Sequence, residues 1–213
     1  MRLLIILFLI FQSNLVNAFE LNGEIIQGAL IIGKEQSDKS IYINKQKIKL
    51  SKNGNFVFGI NYNQTGNIVI ESVDKNNQIT SKTYKIKKRQ YKIQKIDGLH
   101  EKMVTPDQES LEIIKKENDL IKNAQLINSD FEFFLSGFSK PIDGVISGVY
   151  GSQRILNGKP RSPHLGIDFA APRGTEVKSP ADGYVTLAEK GFYFTGGSII
   201  LDHATWSFDN LCS

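Results

Sequence analysis

What the chain has little of narrows it first. It has one cysteine, Cys212, so a disulfide within the chain is excluded and ordinary apolar cores must hold the fold. It has three histidines, His100, His164 and His203, so any chemistry that needs imidazole is confined to those positions. No block of like charge is long enough for a nucleic-acid-binding arm. The net charge of +4 over 213 residues suits proximity to anionic polymers such as wall, membrane surface or nucleic acid, and selects none of them. The densest basic run, KIKKRQYKIQK at Lys85 to Lys95, alternates like the exposed face of a strand. Internal repeats and low-complexity tracts are absent.

One long apolar run is present, at the start. MRLLIILFLIFQSNLVNA has a positive first turn, an apolar stretch from Leu3 to Phe11, and small residues at Val16 and Ala18. It reads as a secretory signal peptide, 1–18, cut after Ala18. The apolar stretch is too short for a comfortable membrane span, so no stable span is expected after cleavage. The remainder is expected to be exported.

From Phe19 to Leu99 short β-branched and aromatic runs alternate with Gly, Asn, Asp and Ser. Asn53-Gly54 and Thr65-Gly66 are turn signals. From Ser40 to Leu50, Ile41, Ile43, Ile48 and Leu50 fall among polar residues with period two. The expectation is a small antiparallel β module over 19–99, with no catalytic cluster of its own.

A helical linker is expected over 100–130. Thr105-Pro106-Asp107-Gln108 has the form of a capping box with Thr105 as N-cap, and the helix should run from about Pro106 to Ile127. Leu111, Ile114 and Ile121 make its apolar stripe, flanked by Ile113, Leu120 and Ala124. The stripe is too short to favour a coiled coil. From Phe131 onward β patterning resumes, with a strand, then Gly or Pro, every ten residues or so. The fold class is therefore mainly β: an N-terminal antiparallel module, one linker helix and a second antiparallel β-sheet domain.

The chemistry lies in PHLGIDFAAPRGTEVKSPADGYV, Pro163 to Val185. His164 and Asp168 are separated by Leu-Gly-Ile. Pro163 and Gly166 argue against a helix, and in a straight strand their Cα atoms would be about 13 Å apart. A bend at Gly166 would bring the two side chains together. Imidazole and carboxylate are zinc-type donors, but two donors alone are a weak signal. Ser162 and Ser179 are read as turn residues, and Asp182 and Asp202 as turn or strand-end carboxylates.

Three blocks occur in order: His164-Leu165-Gly166-Ile167-Asp168, Ala171-Pro172-Arg173-Gly174-Thr175, and Pro180-Ala181-Asp182-Gly183-Tyr184-Val185. Together they resemble the lysostaphin-like (LytM-type) zinc endopeptidases, which cut peptides in bacterial peptidoglycan. GVYGSQRILNGKPRSPH before them and GGSIILDH after them resemble the flanking strands of that family. The resemblance implies a peptidase domain over 131–213, with His164 and Asp168 matching the first two zinc ligands. It implies peptidoglycan or its peptides as the partner, with no nucleic acid, and the bacterial periplasm or cell envelope as the location. Arg154 and Asn157 are placed beside the metal position.

The family takes its third ligand and a catalytic histidine from a later His-x-His motif, and a further histidine from Tyr-x-His-Leu. Neither motif occurs here, and His203 matches a position just after a core strand. The zinc site is expected to be incomplete and the chain inactive as it stands, with no catalytic residue assigned. From Ala204 the sequence leaves the family pattern, so 204–213 reads as an aberrant tail. One base further on, its codons permit HGLSTIYA, the family-like continuation. A shifted frame near Ala204 is therefore expected, and nucleotide sequence downstream should encode His-x-His if that is right. The alternative function is a non-catalytic envelope module that binds or regulates other wall hydrolases.

Overall fold

The computed structural model describes residues 19–127 and 129–203. The expected signal peptide and the tail from Ala204 lie outside the described residues. Strands are numbered in chain order. The first seven are β1 (Glu20–Asn22), β2 (Leu30–Lys34), β3 (Ser40–Ile43), β4 (Gln46–Ile48), β5 (Asn55–Gly59), β6 (Asn67–Val73) and β7 (Ile79–Lys85). They form two antiparallel sheets, ordered β1-β2-β5 and β4-β3-β6-β7. Inward residues of both sheets share one core. Ile31, Ile41, Phe56, Ile68 and Ile70 are its most deeply buried members. Burying each such side chain contributes roughly 1.5–3 kcal/mol before entropy is subtracted.

The alternation from Ser40 to Leu50 is a hairpin. Asn44 and Lys45 both have positive φ, 49° and 71°, as a two-residue turn between β3 and β4 requires. The Asn44 side-chain oxygen accepts from the Val69 N–H at 2.9 Å, which ties the turn to β6. The strand Gln46–Ile48 thus returns Ile48 opposite Ile41, and all three isoleucines, Ile41, Ile43 and Ile48, face the core.

The remaining elements are β8 (Ile93–Ile96), α1 (Glu101–Val104), α2 (Gln108–Gln125), β9 (Val145–Gly148), β10 (Gln153–Leu156), β11 (Lys159–Pro160), β12 (Asp168–Ala170), β13 (Tyr184–Phe192) and β14 (Gly196–Asp202). The mainly β class holds, and α2 is the expected linker helix, preceded by the single turn α1. α1 ends at Val104 because Thr105, the residue before proline, is pushed out of the α region. Thr105 closes that turn by donating its N–H to Glu101 O. The N-cap of α2 is therefore Asp107, extended at φ −74°, ψ 173°, whose carboxylate accepts from the Ser110 N–H.

The face that α2 turns inward also differs from the expected stripe. Ser110, Ile114, Glu117, Ile121 and Ala124 are buried or half-buried, while Leu111, Ile113 and Leu120 are exposed. The helix packs on β13 and β14. The Glu117 carboxylate points in because it accepts the Tyr193 N–H at the hairpin between those strands, at 2.9 and 3.0 Å.

Beyond α2 the sheets are small. β9 pairs with β12, and β13 with β14, as separate antiparallel pairs. A third sheet, β11-β10-β8, joins the two halves of the chain, because β8 runs parallel to β10 with Gln94 opposite Arg154. Side chains reinforce this junction. Asn157 both donates to Leu99 O and accepts from Leu99 N–H, Lys159 pairs with Glu101, and Arg161 donates to Val104 O.

A second junction joins the start of the C-terminal half to the β module. The Glu132 carboxylate accepts from the side-chain amides of Asn53 and Asn55, each at 2.7 Å. Burial pushes the Glu132 carboxyl up. The amides of Asn55 and Asn53, the Ser51 hydroxyl and the Lys34 charge more than offset it, holding the group below its ordinary 4.5. A carboxyl depressed on folding stabilises above its unfolded value and loses that contribution as pH falls through its folded value. The junction is thus expected to hold at pH 5–7 and to loosen as pH falls below about 4.5. Hydrogen exchange at residues 131–136 checks this. Protection should drop between pH 5 and 3 in the wild type and be pH-insensitive, and already low, in Glu132→Gln.

Candidate metal half-site

His164 and Asp168 reach one place by different routes. His164 is anchored through its backbone: its N–H donates to Ser152 O at 2.9 Å, and its carbonyl accepts from Gly151 N–H at 2.6 Å. The chain then bends at Gly166 and enters β12 at Asp168. β12 lies against β9 with Asp168 opposite Gly148. A Cβ on Gly148 would sit 2.3 Å from Asp168 Oδ2, so the missing side chain makes the space the carboxylate occupies.

The two side chains meet. His164 Nε2 lies 3.1 Å from Asp168 Oδ1, and the imidazole is 11% exposed. The approach is not a hydrogen bond, because Nε2 is buried and has no hydrogen-bond partner. Two donor atoms converging without bonding each other suit a shared cation. Ligands of a tetrahedral zinc at 2.0–2.1 Å lie roughly 3.3 Å apart. The other oxygen, Oδ2, accepts from Arg154 Nη2 at 3.2 Å, which partly balances the charge.

Nitrogen and oxygen donors of this kind fit zinc in type and spacing, and fall short in number. No group of three or more His, Cys, Asp or Glu residues suited to a metal occurs among the described residues. His203 is occupied elsewhere: its Nδ1 donates to Asp182 O at 2.6 Å, and its ring stands edge-on to Phe138 at 5.3 Å. It lines a separate cavity of about 270 Å³ with Ala124, Phe138 and Ile200. Asp202, at the end of β14, is buried and accepts from the Ser129 N–H at 3.0 Å. Of the two residues placed beside the metal position, Arg154 touches Asp168. Asn157 does not, because it sits at φ 48° in the β10-β11 turn and bonds Leu99.

Sequence reading missed Gly148 and Gln94. Gly148 is visible only once β9 is paired with β12. Gln94 enters through a parallel pairing across 60 positions of chain. If Gly148 is the carboxylate's space, Gly148→Ala should displace Asp168 and weaken zinc binding at least tenfold, an outer-shell effect of the usual order of 10–100-fold. The melting transition of the β module should be unchanged. Competition against a chromogenic zinc chelator reads the affinity.

Residues 162–210 match the sequence pattern of Peptidase family M23. The matched span includes both His164 and Asp168. It also runs past Ala204, into most of the stretch that the sequence sets apart as a tail. A search of curated proteins finds no match to the chain.

Proposed function

We propose that this chain, whose residues 162–210 match the pattern of Peptidase family M23, is an exported, peptidoglycan-directed protein of the zinc metalloendopeptidase type. Its metal ligands are His164 and Asp168. The observation that carries this reading is the convergence of a buried, unbonded His164 Nε2 on Asp168 Oδ1.

In this reading His164 and Asp168 bind the ion, and Arg154 holds Asp168 Oδ2 so that Oδ1 is left for the metal. Anchoring the His164 backbone on both sides fixes the ring before any ion arrives. When bound, zinc supplies the Lewis acidity that polarises a peptide carbonyl and acidifies water. A catalytic zinc site uses three protein ligands and one open position. Two ligands among the described residues therefore make hydrolysis by them alone unexpected.

The shortage of ligands among the described residues also favours a second reading, a non-catalytic envelope module that binds or regulates other wall hydrolases. One assay separates these outcomes. The full chain, with zinc, is incubated with purified peptidoglycan sacculi, which are sedimented and assayed for released amino groups. Sedimentation with the sacculi and no release is the expected result. Release would identify an active peptidase and overturn the inactivity. Failure to sediment would overturn the peptidoglycan assignment.

A further inference from the structure

Two buried polar atoms beside the half-site have no partner, and they are of opposite kind. Arg154 uses Nη2 on Asp168, but its Nε–H, a donor, is buried and unbonded. Gln94 Oε1, an acceptor, is likewise buried and unbonded. Their residues are register partners in the parallel β8–β10 pair, so the two side chains stand next to each other on one face of the sheet. Gln94 Nε2 reaches Ser147 O at 3.5 Å, one residue from the Gly148 that makes room for Asp168. Gln94 thus borders β9, β10 and, through Arg154, the metal-facing carboxylate.

Leaving either atom unpaired in the interior is unfavourable, and pairing them removes both penalties. The terminal torsion of glutamine is soft, so Oε1 can turn toward the Arg154 Nε–H on the neighbouring strand. From this geometry we infer that Gln94 is a positioning residue for the half-site. It holds the Arg154 guanidinium, which holds Asp168 Oδ2, which leaves Oδ1 facing His164 Nε2. The N-terminal half of the chain thereby sets the readiness of a site in the C-terminal half. The coupling stands on the structure alone, and its meaning for metal rests on the function proposed above.

The test uses the full chain. Exchange of the Arg154 Nε–H with water is first followed by nitrogen-15 NMR without metal, with exposed Arg173 as the reference. Arg154 should exchange at least tenfold more slowly than Arg173. Gln94→Met, of similar length but lacking the acceptor, should bring Arg154 to the Arg173 rate. Gln94→Glu, which keeps an acceptor oxygen, should preserve the slow exchange. Zinc is then titrated, and Gln94→Met should bind it roughly three- to tenfold more weakly than wild type.

Arg154 exchange that ignores Gln94→Met overturns the inference. If Gln94→Met fails to fold, Arg154→Lys replaces it. Lysine can still meet Asp168 and lacks the Nε–H, so its zinc affinity should fall to the same degree, and full affinity would overturn the inference. A wild type that binds no zinc, yet keeps Gln94-dependent exchange, supports the coupling and removes the metal reading instead.

Discussion

Produced alone, residues 131–213 are expected to show no cooperative thermal transition, whereas residues 19–92, which end before β8, melt sharply. The contrast follows from what each half buries. Eleven hydrophobic residues between Phe19 and Ile86 form one buried cluster closed by a three-stranded and a four-stranded sheet. Among the described residues from 131 onward, the buried hydrophobics are Phe134 and Phe192. Val145, Val185 and Ile199 are 75%, 61% and 70% exposed on two-stranded sheets, which are marginal by themselves. Phe131, Phe133 and Tyr184 touch one another, yet Phe131 and Tyr184 stay about half exposed.

What steadies the C-terminal half is contact with the rest of the chain. β8 lies on β10, α2 packs on β13 and β14, and Glu132 is held by Asn53 and Asn55. Removing residues before 131 removes all three. Differential scanning calorimetry of the two fragments decides the matter. A sharp transition from 131–213 would mean that its core is larger than the described residues hold.

The second large effect is expected at Phe56. Its side chain is fully buried between the two sheets of the β module, and its ring lies over Gly33. Phe56→Ala should cost about 3–5 kcal/mol, against a total stability of about 5–15 kcal/mol for a small domain. For a module of this size that is a fall of roughly 15–30 °C in melting temperature. Gly33→Ala should also be strongly destabilising, because its Cβ would sit 2.1 Å from Phe56 Cζ. The two changes touch the same space, so they should not add. In the Phe56→Ala background, Gly33→Ala should be nearly neutral. Strict additivity in a double-mutant cycle would show that the ring does not press on Gly33.

The β module was legible because its signals are local. Period-two isoleucines, Asn53-Gly54 and the short runs between turns each follow from the pleat and from turn chemistry. The meeting of His164 and Asp168 was legible because a spacing of four, with Gly166 between, allows one bend to join them. What escaped depends on distant partners. The parallel β8–β10 pair leaves no mark in either strand's own pattern, and with it went Gln94 and the bond from Asn157 to Leu99. The inward face of α2 escaped because the Tyr193 N–H, 76 positions away, draws Glu117 inward. The cap moved from Thr105 to Asp107 because the turn before Pro106 closed as a helix of its own.

Zinc-edge anomalous diffraction from zinc-soaked crystals of the full chain decides whether His164 and Asp168 form a metal half-site. The expected result is an anomalous peak within bonding distance of both His164 Nε2 and Asp168 Oδ1, absent in His164→Ala. A peak at His203 or His100 with none at His164, or a peak that survives His164→Ala, would rule out the half-site.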